Sequence, residues 1–151
     1  MEKSNYPNLD NPSEVAEKFA NKLLGKGYNL DFSISSLEKE IDLILENELH
    51  KSSTNKEILE AELTAYFGET ICRIFDAEWN GKYSGANGIN FYLCKIKKGK
   101  FEFWPSHFFG YYLNNGKEDT GTFKDYLQFS YYFKGNKKFT EDGLLKKIEK
   151  A

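Results

Sequence analysis

The sequence contains little cysteine, proline and histidine, and it lacks any long apolar run. Its 151 residues include two Cys, three Pro and two His. The two cysteines have neither metal-like nor redox-like spacing, and they suit a reducing compartment, where a free Cys packs as a small hydrophobe. No segment approaches the roughly 18 apolar residues of a membrane-spanning helix, and the first residues show no signal-peptide pattern. We therefore expect a cytoplasmic protein with no membrane partner.

Basic charge is also scarce. The chain has 21 basic and 23 acidic side chains, so its formal net charge is -2. Arg73 is the one arginine in the sequence, and the other basic residues are lysines. A nucleic-acid-binding domain needs basic side chains to neutralise phosphates, and arginine is preferred for bidentate contacts to phosphates and bases. We therefore expect no nucleic-acid partner.

Recognisable catalytic and cofactor motifs are missing as well. Gly81, Gly85 and Gly88 lie among turn signals and do not lead into a helix, as a phosphate-binding loop requires. His50 and His107 are far apart, and neither is followed by a metal-ligand partner at helical or strand spacing. No serine stands in a nucleophile-elbow pattern. We therefore expect no cofactor and no metal site.

Aromatic side chains, by contrast, are abundant. They make up 17% of the residues, with 13 Phe, 10 Tyr and 2 Trp. Each buried aromatic side chain removes about 150–250 Å² from water, so a few of them dominate a core. A chain of this length needs neither a metal nor a disulfide to form that core. We predict a single domain over residues 1–151, with residues 1–11 flexible.

Apolar spacing predicts three helices in the first half of the chain, over residues 12–25, 36–50 and 55–75. Gly27 belongs to the stop signal that follows the first helix. The alternation between residues 28 and 34 indicates either a short strand or an extended lead-in to the second helix.

Local signals refine these helices. Ser35 precedes Glu38 by three residues, and Thr54 precedes Glu57 by three, so both pairs are predicted capping boxes. Gly68 interrupts the third helix, where a glycine costs up to about 1 kcal/mol relative to alanine. We predict that Gly68 permits close packing against another element.

The periodicity changes in the second half of the chain. Alternation predicts strands over residues 77–83, 89–96 and 101–103, with a tight turn at Lys98-Gly99, and together they form an antiparallel meander. Further along the chain, helical spacing of apolar residues predicts helices near residues 108–113, from Thr122 to Gly135, and over residues 140–150. The predicted class is α+β, with N-terminal helices, a small antiparallel β-sheet, and C-terminal helices packed on one face.

The order of five short motifs resembles a group of small uncharacterised bacterial domains. The motifs are Leu30-Asp31-Phe32-Ser33, Ala65-Tyr66-Phe67-Gly68-Glu69, Glu78-Trp79, Pro105 and Leu113-Asn114-Asn115-Gly116. The resemblance covers residues 28–126. It implies a small accessory or immunity-type protein, including the kind found near toxin systems, and it implies no particular residue role.

Glu69 and Arg73 stand four residues apart and share one face of the third predicted helix. The pair is either a structural ion pair that ties the helix to the sheet, or a carboxylate held for proton transfer or for gripping a partner. A small hydrolase-like enzyme that uses Glu69 or Glu78 near Trp79 is the catalytic alternative. Cys94 is predicted to be a packed strand cysteine rather than a nucleophile.

Acidic residues are concentrated between residues 38 and 62. This run holds eight of them, including Glu38, Asp42 and Glu46. The pattern indicates either the solvated face of two helices or a surface that steers a basic partner. An immunity protein against a basic nuclease toxin would use such a surface, so these three residues are candidate partner-binding residues.

The aromatic residues of the C-terminal third cannot all face one core. Tyr111, Tyr131 and Tyr132 are candidate partner-binding residues, because tyrosine is favoured at interfaces. They indicate a partner surface or a homodimer, with ordinary core packing as the alternative. A cleft lined by Trp79 or Trp104 would instead indicate a small-molecule or glycan site. The sequence therefore predicts a non-catalytic protein-binding module of immunity or accessory type, with an enzyme or a small-molecule-binding domain as alternatives.

Overall fold

The computed structural model describes residues 12–80, 94–107, 110, 112, 122–128, 130–131, 139–140 and 143–151. Three helices come first: α1 (Pro12–Leu24), α2 (Ile34–Glu48) and α3 (Lys56–Phe75). A three-stranded antiparallel sheet follows, formed by β1 (Glu78–Asn80), β2 (Lys95–Lys98) and β3 (Phe101–Phe103). The C-terminal elements are α4 (Phe123–Gln128), β4 (Ser130–Tyr131), β5 (Phe139–Thr140) and α5 (Leu144–Glu149). This order confirms the predicted α+β class, while the prediction for residues 1–11 lies outside the described residues.

Helix α3 lies at the centre of the core. Every residue from Ala61 to Cys72 is buried, so more than three turns of the helix are covered on all sides. Helix α1 packs along α3, and the three-stranded sheet also packs against α3. A helix buried in this way must satisfy its polar side chains internally. Although α3 has 20 residues, neither it nor any other helix in the described ranges is long and apolar enough to cross a membrane.

Phe67 on α3 connects the sheet and the C-terminal helices within this core. Its ring centre lies 6.0 Å from that of Phe103 on β3 and 5.4 Å from that of Phe123 on α4. The contact with Phe123 is edge to face, the favoured geometry for aromatic pairs. One buried side chain therefore packs against two regions that are distant in sequence.

Helix α1 ends in a Schellman motif. The Tyr28 N–H donates to the Leu23 carbonyl at 3.0 Å, and the Gly27 N–H donates to the Leu24 carbonyl at 3.1 Å. Gly27 has a φ of 94°, a conformation that other residues rarely adopt. The predicted glycine stop is confirmed. Residues 28–33 then form an irregular lead-in to α2, which decides between the two predicted alternatives.

The N-caps of α2 and α3 are Ser33 and Asn55, so the predicted caps Ser35 and Thr54 are wrong. The Ser33 hydroxyl accepts a first-turn N–H at 3.0 Å. The Asn55 side chain accepts two first-turn N–H groups, at 3.1 and 3.2 Å. Several cap-forming residues are adjacent at both sites, and the sequence pattern alone does not choose among them.

The three-stranded sheet has one apolar row and one charged row. Trp79 lies opposite Ile96, which in turn lies opposite Phe103, and this row belongs to the core beside α3. The exposed row alternates in charge and consists of Glu78, Lys97 and Glu102. The predicted turn after Lys98 joins β2 to β3 and is confirmed. Residues 81–93, which include parts of two predicted strands, lie outside the described residues.

Gly68 marks the closest approach of α3 to the sheet. A β-carbon at this position would lie 2.2 Å from Cη2 of Trp79 and 3.0 Å from Cδ1 of Ile96. No side chain larger than hydrogen fits unless the tryptophan moves. The prediction that Gly68 permits close packing against another element is confirmed.

Helix α4 begins as predicted. The Thr122 hydroxyl accepts the Asp125 N–H at 3.2 Å, and the Asp125 carboxylate accepts the Thr122 N–H at 3.4 Å. This is a capping box with an acidic third residue. The predicted continuation to Gly135 is wrong, because the helix ends at Gln128.

A second small sheet includes two residues of that predicted helix, Ser130 and Tyr131, while residues 129 and 132–135 lie outside the described residues. Ser130 pairs with Thr140, and Tyr131 pairs with Phe139, in antiparallel register. Aromatic residues favour strands, and helical spacing does not take this propensity into account. The final helix consequently starts at Leu144 rather than near residue 140.

The predicted helix near residues 108–113 is described only in part. Gly110 and Tyr112 are helical, and its remaining residues lie outside the described ranges. A helical stretch over residues 105–107 begins at Pro105, so strand β3 ends before this proline, as predicted.

Replacing Gly68 with Ala tests the contact between α3 and the sheet. The added methyl group displaces Trp79, and overpacking of this kind costs about 1–3 kcal/mol. We expect the free energy of unfolding, measured by urea denaturation, to fall by that amount. Gly25→Ala is the control, because the atom nearest to its new methyl group, the Lys22 carbonyl oxygen, lies 3.4 Å away. That variant should stay within about 0.5 kcal/mol of the wild type, and equal stability of the two variants would contradict the packing.

Candidate functional site

Glu69 is a buried carboxylate that joins α1, α3 and β1. Its Oε1 atom accepts hydrogen bonds from the Ser13 hydroxyl at 2.6 Å and from the Trp79 indole N–H at 3.0 Å. Its Oε2 atom accepts the Arg73 Nε–H at 2.7 Å, and 9% of the side chain is exposed. The ion pair predicted from the four-residue spacing is therefore present, and Trp79 connects it to the sheet.

Arg73 extends this cluster to the surface. Its Nη2 atom lies 2.9 Å from Oε1 of Glu17, and its guanidinium carbon lies 3.8 Å from the centre of the Phe32 ring. Burial disfavours the charged form, but the hydrogen bonds to Glu69 and Glu17 outweigh it and raise the pKa of the guanidinium. The trio contains two carboxylates and one guanidinium, so its formal net charge is negative.

Phe32 adopts an unusual backbone conformation beside Arg73. Its φ is 60°, a region that costs a residue with a side chain about 1–3 kcal/mol. The Phe32 N–H donates to the Tyr66 hydroxyl at 2.9 Å, and that hydroxyl lies 2.6 Å from the Ser36 hydroxyl. Burial raises the pKa of Tyr66. Backbone strain that is held by surrounding contacts is concentrated at functional sites, which directs attention to the surface next to Phe32.

An open groove of about 390 Å³ lies there, between one face of α1 and residues 29–32. Four of its lining residues are apolar and four are polar: Ala20, Leu24, Leu30 and Phe32, with Glu17, Asn21, Asn29 and Asp31. Leu24 is 63% exposed, the largest exposure of any large apolar side chain in the described ranges. Both charged residues of the lining are carboxylates. The groove therefore combines apolar surface with negative charge.

The groove was not predicted from the sequence, and none of its lining residues was a predicted site residue. One signal was available at the end of α1. Leu23 and Leu24 are adjacent, and adjacent helical residues point about 100° apart, so both cannot face α3. Leu23 is buried, and Leu24 lies on the groove.

The three acidic residues that were predicted to bind a partner do not form one open face. The Asp42 carboxylate accepts hydrogen bonds from the Tyr112 hydroxyl and, at 3.0 Å, from the Phe123 N–H. It therefore fastens the C-terminal elements to α2. Glu38 is half-buried, and Glu46 is exposed.

Two further carboxylates of the acidic run are buried links between helices. Glu62 on α3 accepts Lys22 at 2.6 Å, whereas Glu48 on α2 pairs with Lys26 at 3.2 Å and also with Lys51. The hydrogen bond from Lys51 outweighs burial and, with the contribution of Lys26, lowers the pKa of Glu48. The interpretation of the run as a solvated face is wrong for these two residues, which are both buried.

The predicted aromatic surface is described in part. Tyr112 and Phe123 are buried, with ring centres 5.1 Å apart in an edge-to-face contact. Tyr131 pairs through its backbone in β4. Tyr111 and Tyr132 lie outside the described residues, and their partner-binding role stays a prediction.

Neither tryptophan lines the groove. Trp79 packs on Gly68 and donates to Glu69. Trp104 is 38% exposed and stacks on His107, with ring centres 6.3 Å apart. The groove therefore gives no support to the tryptophan-lined small-molecule or glycan site.

The geometry also gives little support to the catalytic alternative. Both carboxylate oxygens of Glu69 already accept hydrogen bonds, and Glu78 lies on the exposed row opposite Lys97. Burial, together with nearby Glu57, raises the pKa of the Glu60 carboxyl. Glu60 does not line the groove.

Cys72 and Cys94 are both buried as predicted, although Cys94 lies directly before β2 rather than within a strand. Burial raises the pKa of Cys72 to about 12, so its thiol is protonated at neutral pH and is a poor nucleophile. Among the described residues, no group of three or more His, Cys, Asp or Glu side chains is arranged to hold a metal ion.

No protein-family model matches this chain, and neither a curated protein nor a solved structure matches it. The resemblance to small bacterial accessory domains therefore stays a prediction.

Replacing Glu69 with Ala tests the buried cluster. The change leaves the donors of Ser13 and Trp79 without their acceptor, and it removes one of the two carboxylates of Arg73. An unsatisfied buried donor costs about 1–3 kcal/mol, so we expect a loss of roughly 2–4 kcal/mol in urea denaturation. Glu17→Ala removes only the exposed contact of Arg73, and its loss should stay below about 1 kcal/mol. Similar losses in both variants would show that the buried contacts of Glu69 stabilise the fold no more than the exposed contact of Glu17 does.

Replacing Glu48 with Gln tests the link between α2 and the lysines. The folded-state pKa of Glu48 lies below its ordinary value of 4.5. Its pairing therefore stabilises the fold above that value, and this stability is lost as the pH falls through the lowered pKa. Between about pH 5 and pH 3, the wild type should lose stability more steeply than Glu48→Gln in urea denaturation. Glu46→Gln, at an exposed position on the same helix, should follow the wild type, and a Glu48→Gln curve parallel to the wild type would refute the assignment.

Proposed function

We propose that this protein is a non-catalytic protein-binding module of the accessory or immunity type that acts in the cytoplasm. The observation that carries the proposal is the groove, where the exposed Leu24 side chain lies among polar groups beside the strained residue Phe32. Protein interfaces likewise contain both apolar and polar side chains.

The surroundings of the groove favour binding over chemistry. Glu69, which was a predicted catalytic carboxylate, already accepts hydrogen bonds from three donors. The same contacts fix Arg73, which in turn packs on Phe32 at the edge of the groove. A surface that is ordered before binding loses less conformational entropy when a partner arrives.

The size of the groove is consistent with a small contact region. Its volume, about 390 Å³, is in the lower part of the 300–1,000 Å³ range of ligand sites. It is open to solvent, so a side chain or short segment of a protein can enter without a conformational change. This arrangement suits a projecting feature of a folded partner.

Capture of a partner tests the proposal, with two leucine variants as a matched pair. Leu24 lines the groove, whereas Leu43 is 45% exposed on α2 and is not a lining residue. The immobilised wild type and Leu43→Ser should retain one stoichiometric partner from a lysate of the source organism, identified by mass spectrometry. Leu24→Ser should lose it, by roughly tenfold or more in affinity when the purified pair is measured by calorimetry.

Other outcomes decide against the proposal. Equal retention by both variants would move binding away from the groove. The absence of any partner at low salt would overturn the binding function itself. A mass that rises with concentration for the wild type, but not for Leu24→Ser, in analytical ultracentrifugation would identify a homodimer as the bound form.

A further inference from the structure

The lysines closest to the groove in sequence form ion pairs with carboxylates outside the groove lining. Lys18 pairs with Glu14 at 3.2 Å on α1. Lys22 and Lys26 pair with the buried Glu62 and Glu48, at 2.6 and 3.2 Å. None of these lysines lines the groove, and neither do their carboxylate partners. The carboxylates of the groove are therefore not the partners in these three ion pairs.

Negative charge stays within the groove itself. Glu17 shares Arg73 with Glu69, so that the trio has one carboxylate in excess. Asp31 adds a second negative charge, and its carboxylate accepts the Ser33 N–H at 3.2 Å. Within the part of the chain that the structure describes, no cationic side chain lines the groove.

The remaining lining atoms suit an aliphatic chain. Leu24 supplies exposed apolar surface, and Asn21 and Asn29, with their amide groups, belong to the same lining. Arginine and lysine side chains have three or four methylene groups below a charged head, and they bury this stem on apolar surface while the head contacts polar groups. A purely apolar side chain would add no favourable contact with the carboxylates of Glu17 and Asp31.

The protein already contains one example of the contact. The guanidinium of Arg73 lies 3.8 Å from the centre of the Phe32 ring and 2.9 Å from Glu17. Both of these residues also line the groove. An aromatic ring beside a carboxylate is a recurrent environment for a cation.

From these four observations we infer that the groove binds a cationic side chain with a long aliphatic stem, an arginine or a lysine that projects from the partner. The inference rests on the proposed binding function and names the chemistry of its ligand. Glu17 and Asp31 supply the charge, and Leu24 supplies the contact for the stem.

Four capped pentapeptides that differ only at the central residue test this inference. The sequence is acetyl-Gly-Ala-X-Ala-Gly-amide, where X is arginine, lysine, norleucine or glutamate. Titration into the ¹⁵N-labelled full chain should shift the backbone amides of Asn21, Leu24 and Asn29–Phe32 with the arginine or lysine peptide. One side chain makes a small contact, so we expect a Kd on the order of 1 mM. Norleucine keeps the aliphatic stem without the charge. The affinity of its peptide should be lower than that of the cationic peptides by roughly fivefold or more.

Charge-neutral variants provide the second arm. Glu17→Gln/Asp31→Asn keeps an acceptor oxygen at each position, so the contacts to Arg73 and Ser33 retain a partner. This variant should bind the better cationic peptide roughly five- to tenfold more weakly than the wild type does at low salt. Glu149→Gln, an exposed neutralisation outside the groove, is the control and should leave the affinity unchanged. Thermal midpoints close to that of the wild type would show that both variants are folded.

The outcomes separate this inference from the proposed function. Equal binding of the norleucine and cationic peptides would overturn the inference. So would a captured partner that is lost by Leu24→Ser yet retained by Glu17→Gln/Asp31→Asn, although the binding function would then stand. Specific shifts with the cationic peptides, in a protein that captures no partner, would support the site and overturn the proposed protein partner. A preference of arginine over lysine would show that a planar head is required.

Discussion

Three hydrogen bonds to the Glu69 carboxylate connect helix α1, helix α3 and the three-stranded sheet. A buried carboxylate without partners costs several kcal/mol, so its donors must stay where they are. Ser13 attaches the start of α1, Trp79 attaches the sheet, and Arg73 carries the charge to the surface. Gly68 serves the same junction, because only a glycine lets the Trp79 ring approach α3 closely enough for its N–H to reach Glu69. The hydrogen bonds of Glu69 therefore both stabilise the fold and fix the position of Arg73 at the surface.

The same principle fixes α1 at its other end. Lys22 bonds to Glu62 of α3, and Lys26, just beyond α1, bonds to Glu48 of α2. Helix α1 is thus held by Glu69 near its first turn and by buried carboxylates near its last turns. The Schellman motif at Gly27 then turns the chain back along α1. One face of the helix is left to form the groove with residues 29–32.

The elements that depend on local patterns were predictable from the sequence. Helices α1 to α3, the hairpin of β2 and β3, and the glycine at the α3–sheet contact all follow from spacing or from one residue type. The Glu69–Arg73 pair was predictable for the same reason, since both residues are on one helix. The N-caps were displaced by one or two residues, because neighbouring serine, threonine and asparagine residues compete for the same role.

The features that were missed depend on partners far along the chain. From the sequence, Asp42 is expected to be a surface carboxylate. Its oxygens instead accept hydrogen bonds from Tyr112 and Phe123, which are 70 and 81 residues away. Glu48 and Glu62 became buried because lysines from the region of α1 reach them. The groove likewise needs two segments that meet only after the turn at Gly27. No periodicity in one segment contains that information.

Arg73 also explains how the groove can accept a cation without losing its own structure. A cation that approaches Glu17 competes with Arg73 for the same carboxylate. Arg73 keeps its second partner, Glu69, at 2.7 Å inside the core, and its stacking on Phe32 does not depend on Glu17. Because Phe32 is also held through its N–H by Tyr66, its strained conformation persists when Glu17 turns to a new partner. The buried cluster therefore makes Glu17 exchangeable, and a single exposed carboxylate is the part of the network that is free to change its contacts.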